Sequence, residues 1–193
     1  MKIKSVAGIC RKRKTAYLLE RTVDYGETVV QYVTEGTAIY AVAGLPRLHK
    51  EGLLTLLDVP LDKREEWNVQ VDTPVPTGMD LRDDAPEDEY LNTYLPCIVR
   101  DGRVMQPMIT ERGEVLLVDR ALMRPLEDEE EDITYFARPS LSGLYKYVVA
   151  KSGFFMVALL MPCVYRNNDL RNELKTIYNG LPEREEKDAD LSC

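Results

Sequence analysis

Read from its amino end, the chain first breaks into short apolar runs rich in β-branched and aromatic residues, separated by polar turn signals. Ala16 to Glu20, Glu27 to Val33 and Thr37 to Ala43 have the composition of strands. Asp24-Tyr25-Gly26 and Glu35-Gly36 are suitable links, so the pattern predicts an antiparallel meander that ends at Leu45-Pro46. Leu48, Leu53, Leu54, Leu56 and Leu57 then fit a short amphipathic helix with its leucine face on the sheet. Gly52 weakens that helix by about 1 kcal/mol relative to alanine. Pro60 sets a stop near Asp58, and Trp67 to Val71 returns to extended structure.

Asp72 to Glu89 holds Pro74, Pro76, Gly78, Pro86 and a run of acids, a composition that reads as an exposed loop or linker. Tyr94 to Val99 and Val104 to Thr110 flank Arg100-Asp101-Gly102-Arg103, where Asp-Gly signals a hairpin because both central residues of a type I′ turn need positive φ. Glu114 to Val118, Ile133 to Ala137, Leu144 to Lys151 and Phe154 to Met161 read as further strands. The last is apolar enough to be central and covered on both sides. Asn167 to Tyr178 has the clearest helical period, with Leu170, Leu174, Ile177 and Tyr178 on one face and Gly180 and Pro182 as its stop.

These elements define an α+β fold: antiparallel strand meanders with two or three short helices packed on the sheet. They divide the chain into a meander-plus-helix unit over 1–72, an acidic Pro-rich linker over 73–90, a second strand-rich unit ending in a helix over 91–181, and a disordered charged tail over 182–193. Aligning Gly26 with Gly143 also aligns Gly36 with Gly153 and, after one deletion, Pro46 with Pro162. A looser echo places Gly102, Gln106, Thr110, Glu111, Gly113 and Pro125 against Gly26, Gln31, Thr34, Glu35, Gly36 and Pro46. An internally duplicated strand-and-helix unit would produce this, and so would any two hairpins punctuated by glycine. The plan is similar, in architecture alone, to half-domains of DNA sliding clamps. That resemblance rests on no residue motif and transfers no functional position.

Charge changes the picture in one place. The chain has 25 basic and 33 acidic side chains and a net charge of −8, which works against diffuse attraction to phosphate. Yet Lys2, Lys4, Arg11, Lys12, Arg13 and Lys14 all precede the first acid, Glu20. This basic end reads either as a contact for phosphate or an acidic partner, or as a solvated strand edge whose charges discourage edge pairing.

Candidate chemistry is sparse. His49 is the only histidine, and no Gly-x-Ser-x-Gly elbow or phosphate-binding glycine loop accompanies it. Cys10, Cys97, Cys163 and Cys193 are too scattered for a zinc clamp or a disulfide framework. The acids Asp80, Asp83, Asp84, Glu87, Asp88 and Glu89, and the run from Glu127 to Asp132, lack the spacing of a calcium loop. Tyr32, Tyr40, Tyr145 and Tyr147 fall in strand patterns where packing explains them as well as stacking on bases would. No catalytic residue, cofactor or metal ligand is assigned.

The first fourteen residues carry no continuous apolar run, and Phe154 to Met161 is too short to span a bilayer, so the chain reads as a soluble, reduced, cytoplasmic protein. The leading expectation is a non-catalytic binding or scaffold protein, clamp-like in architecture and associated with DNA, with a protein partner or self-association. One alternative is a metal-dependent hydrolase or nuclease using carboxylates such as Asp119. Another is a structural subunit of a phage or mobile-element assembly.

Overall fold

The computed structural model describes residues 2–23, 28–127, 133–164 and 168–179. The chain opens on a helix, α1 (Ile3–Arg13), followed by the meander β1 (Thr15–Val23), β2 (Thr28–Thr34) and β3 (Ala38–Val42). Next come α2 (Lys50–Leu56), a 3₁₀ turn over Leu61–Glu66 and β4 (Asn68–Thr73). The second half contributes β5 (Glu89–Asn92), β6 (Ile98–Arg100), β7 (Arg103–Thr110), β8 (Val115–Asp119), α3 (Arg120–Met123), a 3₁₀ turn over Arg124–Leu126, β9 (Ile133–Pro139), β10 (Lys146–Ser152), β11 (Phe155–Leu160) and α4 (Asn168–Asn179).

Both halves feed one 11-stranded sheet in the order β4-β1-β2-β3-β11-β10-β9-β5-β7-β6, with β8 alongside β7. All its pairs are antiparallel except β1 with β4. Two three-stranded meanders, β1-β2-β3 and β9-β10-β11, meet where Ile39 lies opposite Leu159. β11 is therefore central, as its unbroken apolar run implies.

Successive strand residues point to opposite faces, which sorts the core into layers. On one face Leu18, Val33, Tyr40, Val148 and Leu160 pack under α1 (Val6, Cys10), α2 (Leu53, Leu54), α3 (Leu122) and the folded-over pair β7–β8 (Met108, Leu116, Val118). On the other face Leu19, Tyr32, Ile39, Tyr147, Val149 and Leu159 are covered by Leu81, with Val75 and Met79 beside it. A third cluster, Met105, Ile109, Val115 and Leu117, receives Leu174 of α4.

The Asp101-Gly102 turn has φ of 51° and 72°, as a type I′ hairpin requires. Tyr94 to Val99 is not one strand: only Ile98 and Val99 of it belong to β6, and residues 93–97 carry no regular element. The basic amino end is helical rather than a strand edge, because Ile3, Val6, Ala7 and Cys10 form one face and the last three are buried. Lys14 ends that helix at φ 49°.

Residues 74–88 carry no regular element, yet they lie against the sheet as a strap. Arg138 of β9, 1% exposed, grips the Asp88 carboxylate at 2.6 and 2.8 Å and donates to the Asp80 and Arg82 carbonyls at 2.8 Å each. Lys151 reaches the same carboxylate at 2.7 Å. The Met156 N–H donates to Asp83, and the Asp80 N–H donates to the Tyr147 hydroxyl, both at 2.8 Å. Gly26, the acids Asp128 to Asp132 and the tail from Gly180 lie outside the described residues. Among those described, no helix is long and apolar enough to cross a membrane.

Candidate functional site

A concentration of basic residues lies on the helix-covered face, around α1. That helix contains no acid, and Lys2 at its start, Lys4, Arg11, Lys12, Arg13 and the terminating Lys14 are all exposed. Its position is set from beneath by Val6, Ala7 and Cys10, and at its start by the Lys2 N–H, which donates to the Pro125 carbonyl at 2.8 Å. That bond holds α1 beside α3 and its 3₁₀ extension. A further anchor is the Tyr40 hydroxyl, which donates to the Leu122 carbonyl at 2.7 Å.

Two clefts flank α1. The one toward α3 and the β6–β7 turn, about 470 Å³, is lined by Lys12, Arg103, Arg120, Arg124, Asp119 and Glu127 among others. Arg120 and Arg124 are four residues apart, a spacing that puts both on one side of a helical turn. The two acids are already occupied. Asp119 caps α3 by accepting the Ala121 N–H at 2.9 Å, and Glu127 pairs with Arg120 at 3.2 Å. The hydrogen bond Arg120 makes to Cys97 and its pairing with Glu127 raise its pKa, so it stays charged.

The second cleft, about 520 Å³, lies toward the 3₁₀ turn over Leu61–Glu66 and includes Arg11, Lys14, Lys63, Asp58, Glu66 and Trp67. Lys14 pairs with Glu66, whose carboxyl is pulled below the usual range first by the Lys14 hydrogen bond and then by its charge. Arg11 donates to the Leu57 carbonyl at 3.2 Å and stands 3.8 Å from Asp58. Lys12, Lys63, Arg103 and Arg124 remain: among the described residues no carboxylate lies within ion-pair distance of any of them. Arginine forks and lysine ammoniums so placed hold anions.

Of the six basic residues singled out from sequence, Arg11, Lys12 and Lys14 line these clefts, while Lys2, Lys4 and Arg13 do not. Arg103, Arg120, Arg124 and Lys63 were missed because folding brings them to α1 from far along the chain. Only the Arg120–Arg124 spacing after a capping Asp119 was a readable signal.

Among the acids considered for metal binding, Asp83 and Asp88 bond the sheet, Asp80 pairs with Arg82, Glu89 with Lys146 and Glu127 with Arg120. Among the described residues, no group of three or more His, Cys, Asp or Glu is placed to hold a metal ion. His49 is exposed at the start of α2. Cys10 is buried beneath α1, where loss of hydration and then the charge of Glu35 push its thiol up to about 12. No protein-family model, curated protein or solved structure matches this chain.

Proposed function

We propose that the chain is a non-catalytic binding protein, an accessory or scaffold factor whose working surface is the helix-covered face and whose partner there is polyanionic. One observation carries this reading: in a chain of net charge −8, Lys12, Lys63, Arg103 and Arg124 gather around one helix with no acid at ion-pair distance among the described residues. Charges that only needed solvation would pair with the abundant acids or be scattered among them. A concentrated patch raises the local density of anions and speeds their capture.

The same reading takes the two meanders that meet at β3 and β11 as copies of one unit. It takes the arrangement of α1 on a meander as the clamp-like element of the architecture. In this view the sheet is the frame and the helix layer is the contact surface.

Retention on a cation-exchange resin at neutral pH and low salt tests the reading. A protein of pI about 4.9 with evenly mixed charge flows through, whereas one with a segregated basic face is held. Retention of the wild type, and its loss in Arg103→Glu/Arg124→Glu at unchanged melting temperature, is the expected result. Free passage of the wild type would overturn the proposal.

A further inference from the structure

We infer that the polyanion is a nucleic acid, held through its sugar-phosphate backbone along a track that crosses α1 from one cleft to the other. The inference rests on the anionic-partner reading above and adds the partner's class and path. Arg11 and Lys12 are consecutive, yet they line different clefts, so the end of α1 is a ridge between two troughs. Cations with no acid at ion-pair distance among the described residues stand on both sides of it, Lys63 on one and Arg103 with Arg124 on the other. One compact ion would fill one trough. A chain of regularly spaced charges satisfies both.

The lining favours phosphates over an acidic polypeptide. In the cleft beside α3 the apolar contribution is Val104 and Ala121, which offers no socket for a large side chain. Acidic peptides draw much of their affinity from apolar and aromatic anchors seated in pockets. A phosphate backbone needs only donors and positive charge, and arginine forks supply both. Among the described residues the acids of the two clefts each stand beside an internal partner: Asp119 caps α3, Glu127 holds Arg120, Glu66 holds Lys14 and the exposed Asp58 lies 3.8 Å from Arg11. The mouth of the track therefore presents its cations.

The test is a fluorescence-anisotropy titration of a labelled duplex oligonucleotide and a labelled single strand over a salt series, with polyglutamate as the carboxylate control. The four cations Lys12, Lys63, Arg103 and Arg124 predict a slope of log K against log salt of about −3.6 on duplex DNA. Arg103→Glu/Arg124→Glu should cut that slope by about half, and Lys63→Glu alone should reduce it by about 0.9. Trp67, the only tryptophan, lines the second cleft, and its emission should change as nucleic acid fills it. Polyglutamate binding as tight as duplex would overturn the nucleic-acid assignment and leave the polyanion reading standing. Nucleic-acid binding indifferent to Lys63→Glu would overturn the track. Failure of every polyanion to bind would overturn both.

Discussion

The two faces of the main sheet are closed in opposite ways. On the helix side, neutral side chains do the work: Val6, Cys10, Leu53 and Leu54 pack on Leu18, Val33 and Tyr40, and the basic residues of α1 are left outside. On the strap side, the apolar cover is thin, and polar anchors hold it down, above all the buried pair of Arg138 and Asp88 with Lys151 alongside. Asp83 and Asp88, which look free in the sequence, are thus committed to the fold, while Lys12, Lys63, Arg103 and Arg124 stand with no acid at ion-pair distance among the described residues. Charge in a sequence becomes informative only once its partners are counted.

The largest effect should come from breaking the strap's anchor. Arg138→Leu leaves Asp88 buried with Lys151 as its remaining cationic partner and should cost about 3–5 kcal/mol in urea unfolding. On the helix side Leu54→Ala opens a cavity and should cost about 2–5 kcal/mol.

Acid separates the two. Burial would raise the Asp88 pKa, but hydrogen bonds from Arg138 and Lys151 outweigh it and hold the carboxyl below its ordinary range. A carboxyl depressed in the folded state contributes its full stability above the unfolded value, about 3.9, and loses it as pH falls from there through the folded value. The gap between wild type and Arg138→Leu should therefore narrow as pH falls below about 4, and the Leu54→Ala gap should stay level. Parallel acid curves for the two variants would break the comparison.

Smaller effects sharpen it. Asp58 sits at φ 54° with its side chain 97% exposed, so Asp58→Gly relieves left-handed backbone strain. It should raise stability by up to about 1 kcal/mol. It also frees Arg11 and should tighten polyanion binding. Arg103→Glu/Arg124→Glu should move stability by less than about 0.5 kcal/mol, since both are exposed, while removing retention on the resin.

Much of this architecture is legible in the sequence. Runs rich in β-branched and aromatic residues locate the strands of both meanders, the leucine spacing locates α2, and the Asp101-Gly102 pair locates the β6–β7 hairpin. The α1 helix was equally legible, since Ile3, Val6, Ala7 and Cys10 repeat at the helical period, but dense flanking charge directs attention to a strand edge. The strap was not legible. Composition says that residues 74–88 cannot form a core of their own; they add Leu81 to the apolar layer of the sheet and are anchored by Arg138 and Lys151 from strands some 50 or more residues away. The clefts depend on the same kind of long-range meeting, between Lys12 and Arg103 and between Lys14 and Lys63.

The most direct test of the helix face as the working surface is amide hydrogen exchange with and without a saturating polyanion, read peptide by peptide. The account predicts added protection in peptides covering α1, the Arg103 turn and Arg120 to Leu126, with no change over residues 74–88. Protection confined to the strap, or to neither region under conditions where binding is demonstrated, would contradict it.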